Sequence, residues 1–146
     1  MPRWTGWVVS LGVMAMDQGT KIWAMRALGP GEIRTIWDGI FKLTMVHNPG
    51  AAFGVFPRGT AAFLAVSTVV ALGLFAYLFF SKPSGPRAWG SALILGGTLG
   101  NLIDRARLGY VVDFLALGNW TVFNVADVAL VLGVGLTILG LWWGSR

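Results

Sequence analysis

Few of the residue types that usually carry catalysis are present. The sequence has no cysteine, which excludes thiolate nucleophiles, disulfides and cysteine-based metal sites. Its single histidine, His47, excludes a multi-histidine metal site. No serine lies beside a plausible base, and there is no His-Glu-x-x-His zinc motif. Carboxylates remain. Asp113 and Asp127 lie 14 positions apart, enough for the chain to fold back and bring them together. Two carboxyl groups in one site cannot both ionise easily, so one keeps a proton while the other stays charged. Such a pair can activate a water toward a peptide carbonyl and protonate the oxyanion or the leaving amine, and it titrates as a unit. From the residues alone other readings stay open. Asp113 could be an ordinary loop carboxylate, and His47 a structural or interfacial ring.

The remaining polar residues fall into spaced pairs. Asp17 and Lys21 are four apart with the acid first, the favourable order on a helix. That pair reads as structural or positioning rather than catalytic. Asn101 and Arg105 are four apart and share a helical face, and Asn124 and Asp127 are three apart and share another. Asp104 and its neighbour Arg105 point about 100° apart on a helix, so they need different partners. A basic side chain or a backbone N–H is expected for Asp104. Asp127 falls in the first turn of its helix, where the dipole favours a negative group.

Four apolar stretches must position these groups. Of the 146 residues 55% are hydrophobic and 12% charged, against about 45–50% and 25% in ordinary soluble domains. A soluble monomer of that composition would expose much apolar surface, so the expected solvent is lipid. The spacing predicts spans at about 4–27, 60–80, 88–104 and 123–143, each near the ~20 residues that cross a hydrocarbon core. Tryptophans sit near their ends: Trp4, Trp7, Trp23, Trp89, Trp120, Trp142 and Trp143. The first span carries Asp17 and Lys21 and lacks a small-residue cleavage site, so it reads as retained rather than as a signal peptide. A two-proline turn (81–87) joins spans two and three, and loops at 28–59 and 105–122 join the others. Within the longer loop, Phe41–Met45 alternates like a half-buried strand, and Asn48-Pro49-Gly50 marks a turn. A small sheet at the membrane surface is expected, with Trp37 and Phe41 toward lipid. Gly96, Gly97, Gly100, Gly133, Gly135 and Gly140 are expected to permit close helix packing.

Antiparallel threading carries every polar group to one membrane face. Asp17, Thr20 and Lys21 end span one, Asn101, Asp104 and Arg105 end span three, and Asn124 and Asp127 begin span four. His47, Asn48 and Asp113 belong to loops on that face. The charge rule does not orient the bundle, because Arg3, Lys82, Arg87 and Arg146 face Arg26, Arg34, Lys42, Arg58 and Arg107 on the other side. The net charge of +5 is scattered, so a nucleic-acid face is not expected, and anionic lipid headgroups are the plainer partner.

These residues sit in stretches that resemble the lipoprotein signal peptidases, or signal peptidase II, of bacterial inner membranes. Asp17-Gln18-Gly19-Thr20-Lys21 is similar to that family's first motif, and Asn48-Pro49-Gly50-Ala51-Ala52-Phe53 to its loop motif. Gly96 to Arg105 (GGTLGNLIDR) is similar to its third. Gly109-Tyr110-Val111-Val112-Asp113-Phe114 and Phe123-Asn124-Val125-Ala126-Asp127 are similar to the segments carrying its two aspartates. Thr98 stands where alanine is usual and Leu130 where isoleucine is common. The resemblance implies one integral-membrane domain over 1–146. Its fold would be an all-α four-transmembrane-helix bundle with a small extracytoplasmic β-sheet formed by the loops. It implies an aspartic endopeptidase with catalytic Asp113 and Asp127, a water nucleophile, no metal and no other cofactor. Substrate-binding positions would be Asn48, Gly50, Asn101, Arg105 and Asn124, with Asp17, Lys21 and Asp104 in support. The implied substrates are diacylglyceryl-modified prolipoproteins, cut just before the lipobox cysteine. Both termini would be cytoplasmic, the site extracytoplasmic and the enzyme a monomer among membrane lipids.

Two other readings compete. A small transporter or ion pathway would also use buried Asp, Lys and Arg, but would spread them through the depth of the bundle. Span two has only Ser67 and Thr68 near its middle, and span four only Thr137. A non-catalytic assembly subunit with glycine-rich helix faces would tolerate Asp113→Asn and Asp127→Asn.

Overall fold

The computed structural model describes residues 3–50 and 59–144. Ala51, Ala52, Phe53, Arg58 and Arg146 of the readings above lie outside the described residues. The elements run α1 (Arg3–Ala27), β1 (Ile33–Trp37), β2 (Phe41–Asn48), α2 (Gly59–Ala76), α3 (Gly85–Leu108), β3 (Val111–Leu117), β4 (Thr121–Phe123) and α4 (Val125–Gly144). A π-helical turn, Tyr77–Ser81, continues α2. The pattern in depth is the reverse of a soluble protein. Ser10, Asp17, Lys21, Ser91, Thr98, Asn101, Asp104, Asp113 and Asn124 are buried, while Val69, Leu72, Val131 and Ile138 are more than half exposed. Apolar surface of that extent has an apolar solvent as its natural partner. Two helical stretches, Ala61–Ser81 and Val125–Trp143, are long and apolar enough to cross a membrane. Helices α1 and α3 have 25 and 24 residues; they carry the buried polar groups, which lowers their hydropathy.

Helix α3 is the central element, packed against α1, α2 and α4. Glycine makes two of these approaches possible. A Cβ at Gly97 would lie 2.6 Å from the Ala126 carbonyl oxygen on α4, and one at Gly100 would overlap the Asp17 carboxyl on α1. Gly135 differs from the expectation, since a Cβ there would meet nothing within 4 Å.

The strands form one antiparallel sheet in the order β1-β2-β3-β4. This corrects three local expectations. His47 and Asn48 lie on β2 rather than in a loop, and Asp113 lies on β3. Strand β3 (VVDFLAL) has no period-two alternation because five of its seven residues are buried, and a strand covered on both faces reads as a continuous apolar run. Helix α3 continues a turn beyond Asp104, so Arg105 and Arg107 are helical. The loop expected at 105 starts instead at Gly109, which ends the helix in the left-handed region (φ 79°) and donates its N–H to the Arg105 carbonyl at 3.2 Å. Trp37 is 62% exposed and pairs in register with the partly buried Phe41.

Candidate active site

The start of α4 builds the site. Asn124 precedes the helix, its side-chain Oδ1 accepts the Asp127 N–H at 2.9 Å, and Asp127 Oδ2 accepts the Asn124 N–H at 3.2 Å. This is the reciprocal arrangement of a capping box, with aspartate in the place glutamate usually takes. The intervening N–H, that of Ala126, is capped from α1 by Asp17 Oδ1 at 2.9 Å. Helix-end satisfaction therefore fixes one of the two Asp127 carboxylate oxygens.

Asp113 reaches the same place from β3. Opposite it in register on β2 is Val46. Its two oxygens accept Asn124 Nδ2 at 2.7 Å and Asn48 Nδ2 at 2.9 Å. Asp127 Oδ1 accepts Asn101 Nδ2 at 3.0 Å. Asn124 thus contacts both carboxylates, one through its side-chain amide and the other through its backbone N–H. Asp113 is 3% exposed and Asp127 partly exposed. Burial pushes the Asp113 carboxyl up to about 6. The Asp127 charge pushes the same way, while the Asn48 and Asn124 hydrogen bonds and the Lys21 charge pull it down.

Behind this pair lies a second polar layer. Lys21 Nζ is 2.7 Å from Asp17 Oδ2, 2.8 Å from Asp104 Oδ2 and 2.9 Å from Asn101 Oδ1. Asp104 also accepts the Val112 N–H at 3.1 Å, so it has both a basic partner and a backbone N–H, and this contact ties α3 to β3. Arg105, four residues from Asn101 on α3, has its own partners on α2. Its guanidinium lies over the Phe63 ring at 5.4 Å and reaches Ser67 Oγ at 3.4 Å. It still feels the charges of Asp127 and Asp113, and its buried Nε has no hydrogen-bond partner among the described residues. Gly50 turns the chain after β2 at φ 78°, with its N–H donating to Asn48 Oδ1 at 2.9 Å. A Cβ there would meet the Phe63 ring at 2.7 Å. His47 stacks on Tyr110 at 4.2 Å.

The structure thus brings Asn48, Asn101, Asn124, Asp113 and Asp127 into one hydrogen-bonded cluster, with Asp17, Lys21 and Asp104 behind it. Sequence reasoning missed Gln18, whose Nε2 donates to Asp104 Oδ1 at 2.9 Å and to the Gly100 carbonyl at 3.1 Å. Its place beside Asp17 in the first motif was the available signal. Phe63 was also missed, since nothing in the apolar pattern of α2 marks it, and Ser67 was noted as polar but not as a partner of Arg105. Among the described residues no group of acidic or histidine side chains is arranged to hold a metal ion. Chemically, two carboxyls oriented by amides suit proton transfer to and from a water and a carbonyl.

Comparison with known proteins agrees with the motif resemblance. The family model described as signal peptidase (SPase) II matches residues 9–143. A lipoprotein signal peptidase of Halothermothrix orenii is 43% identical over 136 residues, covering 93% of this chain and 94% of that one. One of Moorella thermoacetica is 47% identical over 128 residues, covering 87% and 85%. A bacterial membrane enzyme structure obtained by the in meso method at 2.3 Å superposes with a TM-score of 0.87 at 26% identity, covering 97% of this chain and 90% of that one.

Proposed function

We propose, from the premise that this chain belongs to the signal peptidase II family and is a bacterial membrane peptidase, that it removes signal peptides from prolipoproteins by aspartyl catalysis. The observation that carries this reading is Asn124 holding both Asp113 and Asp127. Asp127, the more accessible carboxylate, takes a proton from a water whose oxygen attacks the scissile carbonyl carbon. Asp113, which keeps its proton to about pH 6, gives it to the carbonyl oxygen. The tetrahedral intermediate collapses as Asp127 passes its proton to the amine nitrogen, Asp113 takes one back from a hydroxyl and the C–N bond breaks, leaving a carboxyl group on the signal peptide and a free amine on the lipoprotein. Asn48, Asn101 and Asn124 orient the carboxyls. Arg105, whose Nε has no partner among the described residues, and the turn at Gly50 serve the substrate backbone, which needs polar partners wherever it unwinds in lipid.

All four helices cross the membrane in this reading. Both termini lie in the cytoplasm, and the sheet and the site lie at the outer surface. The substrate is a diacylglyceryl-modified prolipoprotein cut just before the lipobox cysteine, and the working unit is a monomer in lipid. The transporter reading would require ionisable groups through the depth of the bundle, whereas Asp17, Lys21, Asp104, Arg105, Asp113 and Asp127 share one end. The test is in vitro cleavage of a diacylglyceryl-modified precursor beside its unmodified form. Cleavage before the cysteine, dependent on the lipid, is expected. Equal cleavage of both forms would make this a general membrane protease.

A further inference from the structure

Three buried charges lie one layer behind the aspartate pair without touching it. A lysine ammonium has three N–H donors and no acceptor. Lys21, 1% exposed, has three partners: Asp17 Oδ2, Asp104 Oδ2 and Asn101 Oδ1, at 2.7, 2.8 and 2.9 Å. The two carboxylates already more than offset its charge, so the third contact, to a neutral amide, calls for another account. A carboxamide has one accepting end and one donating end. With its oxygen held by Lys21, Asn101 has to turn Nδ2 the other way, and there Nδ2 donates to Asp127 Oδ1 at 3.0 Å. The reverse flip would set N–H against ammonium and oxygen against carboxylate, replacing two hydrogen bonds with two repulsions. The same Asn101 oxygen accepts Asn124 Nδ2 at 3.1 Å, and that nitrogen donates to Asp113 Oδ1 at 2.7 Å.

We propose that Lys21 is a positioning residue that sets the flip of the Asn101 amide and through it aims the Asp127 carboxylate. The proposal rests on the aspartyl reading above. Its test is a double-mutant cycle. Asp17→Asn combined with Lys21→Met removes one buried charge of each sign, and the asparagine oxygen can still accept the Ala126 N–H that Asp17 Oδ1 accepts at 2.9 Å. This paired variant, Asn101→Ala and their combination are assayed for kcat and KM on lipid-modified precursor, with thermal unfolding in micelles as the fold check. The paired variant should fold and keep KM within about twofold while kcat falls roughly 10- to 100-fold, the size expected for a misaimed group. Added to Asn101→Ala it should cost nothing more. Unchanged kcat, losses that multiply, or a loss confined to KM would each overturn the proposal. So would failure of the paired variant to fold, because Lys21 would then serve the fold rather than the amide. Asp127→Asn is measured alongside. Normal cleavage by Asp127→Asn sinks the aspartyl reading, whereas its inactivity beside a fully active paired variant sinks only the positioning role.

Discussion

The molecule contains two pairs of neighbouring carboxylates, one buried and one reaching the surface through Asp127, and they differ in what stands between them. Asp17 and Asp104 share an ammonium, Lys21. Asp113 and Asp127 share an amide residue, Asn124. A cation between two acids ties them together, and the result is an ion cluster joining α1, α3, β3 and the start of α4. Neutral amides orient two acids without cancelling their charges, so mutual repulsion and burial persist. Burial and the Asp127 charge together push the Asp113 carboxyl up to about 6. The same residue type thus meets an ion-paired setting in one layer and an amide-bridged one in the next, according to the neighbour between the carboxylates.

The comparison breaks most directly at the amide-bridged pair. Asp113→Asn or Asp127→Asn should lower the cleavage rate about 10²–10⁴-fold, the usual loss for a missing acid or base, while the protein still inserts and folds. Normal turnover by either purified variant would leave the two layers without a functional difference. Next in size is the cation-bridged layer. Lys21→Met leaves two buried carboxylates without their cation and should cost about 3–5 kcal/mol of stability, read by denaturant unfolding in micelles. A loss no larger than that of Asp113→Asn would mean the cluster anchors nothing.

The smallest effect is a pH dependence confined to Asp113. Its folded carboxyl titrates at about 6 against 3.8 for the unconstrained group. The folded state therefore holds more protons than the unfolded one across that window, and stability declines as pH rises through it. Asp113→Asn should remove that segment of the stability profile. In kcat/KM, which reports the free enzyme, activity should fall as pH rises through about 6 if Asp113 is the acid. A rise over the same range would exchange the roles of the two aspartates.

Much of this was legible along the chain. Long apolar stretches marked the four helices, because burial in any apolar medium selects the same residue types. Eliminating cysteine, a second histidine and a based serine left the carboxylates, and helical spacing placed Asp17 beside Lys21 and Asn124 beside Asp127. Strand β3 was not legible, since burial on both faces erased its alternation, and with it went the position of Asp113 on a sheet. The contacts of Gln18, Phe63 and Ser67 were hidden for a different reason. Their partners Asp104 and Arg105 lie on another helix, about 40 or more positions away in sequence, and no local period records such a contact.

Composition and local spacing by themselves determined that this chain makes apolar helices with acids, amides and one lysine near their ends, because both follow from transfer free energy and from the 3.6-residue turn. Only the tertiary structure decided which acid meets a cation and which meets an amide. That choice depends on α3 running close enough to α1 and α4, through Gly100 and Gly97, and on β3 pairing with β2. Charges separated along the chain acquire a common electrostatic environment only after the backbones between them have packed.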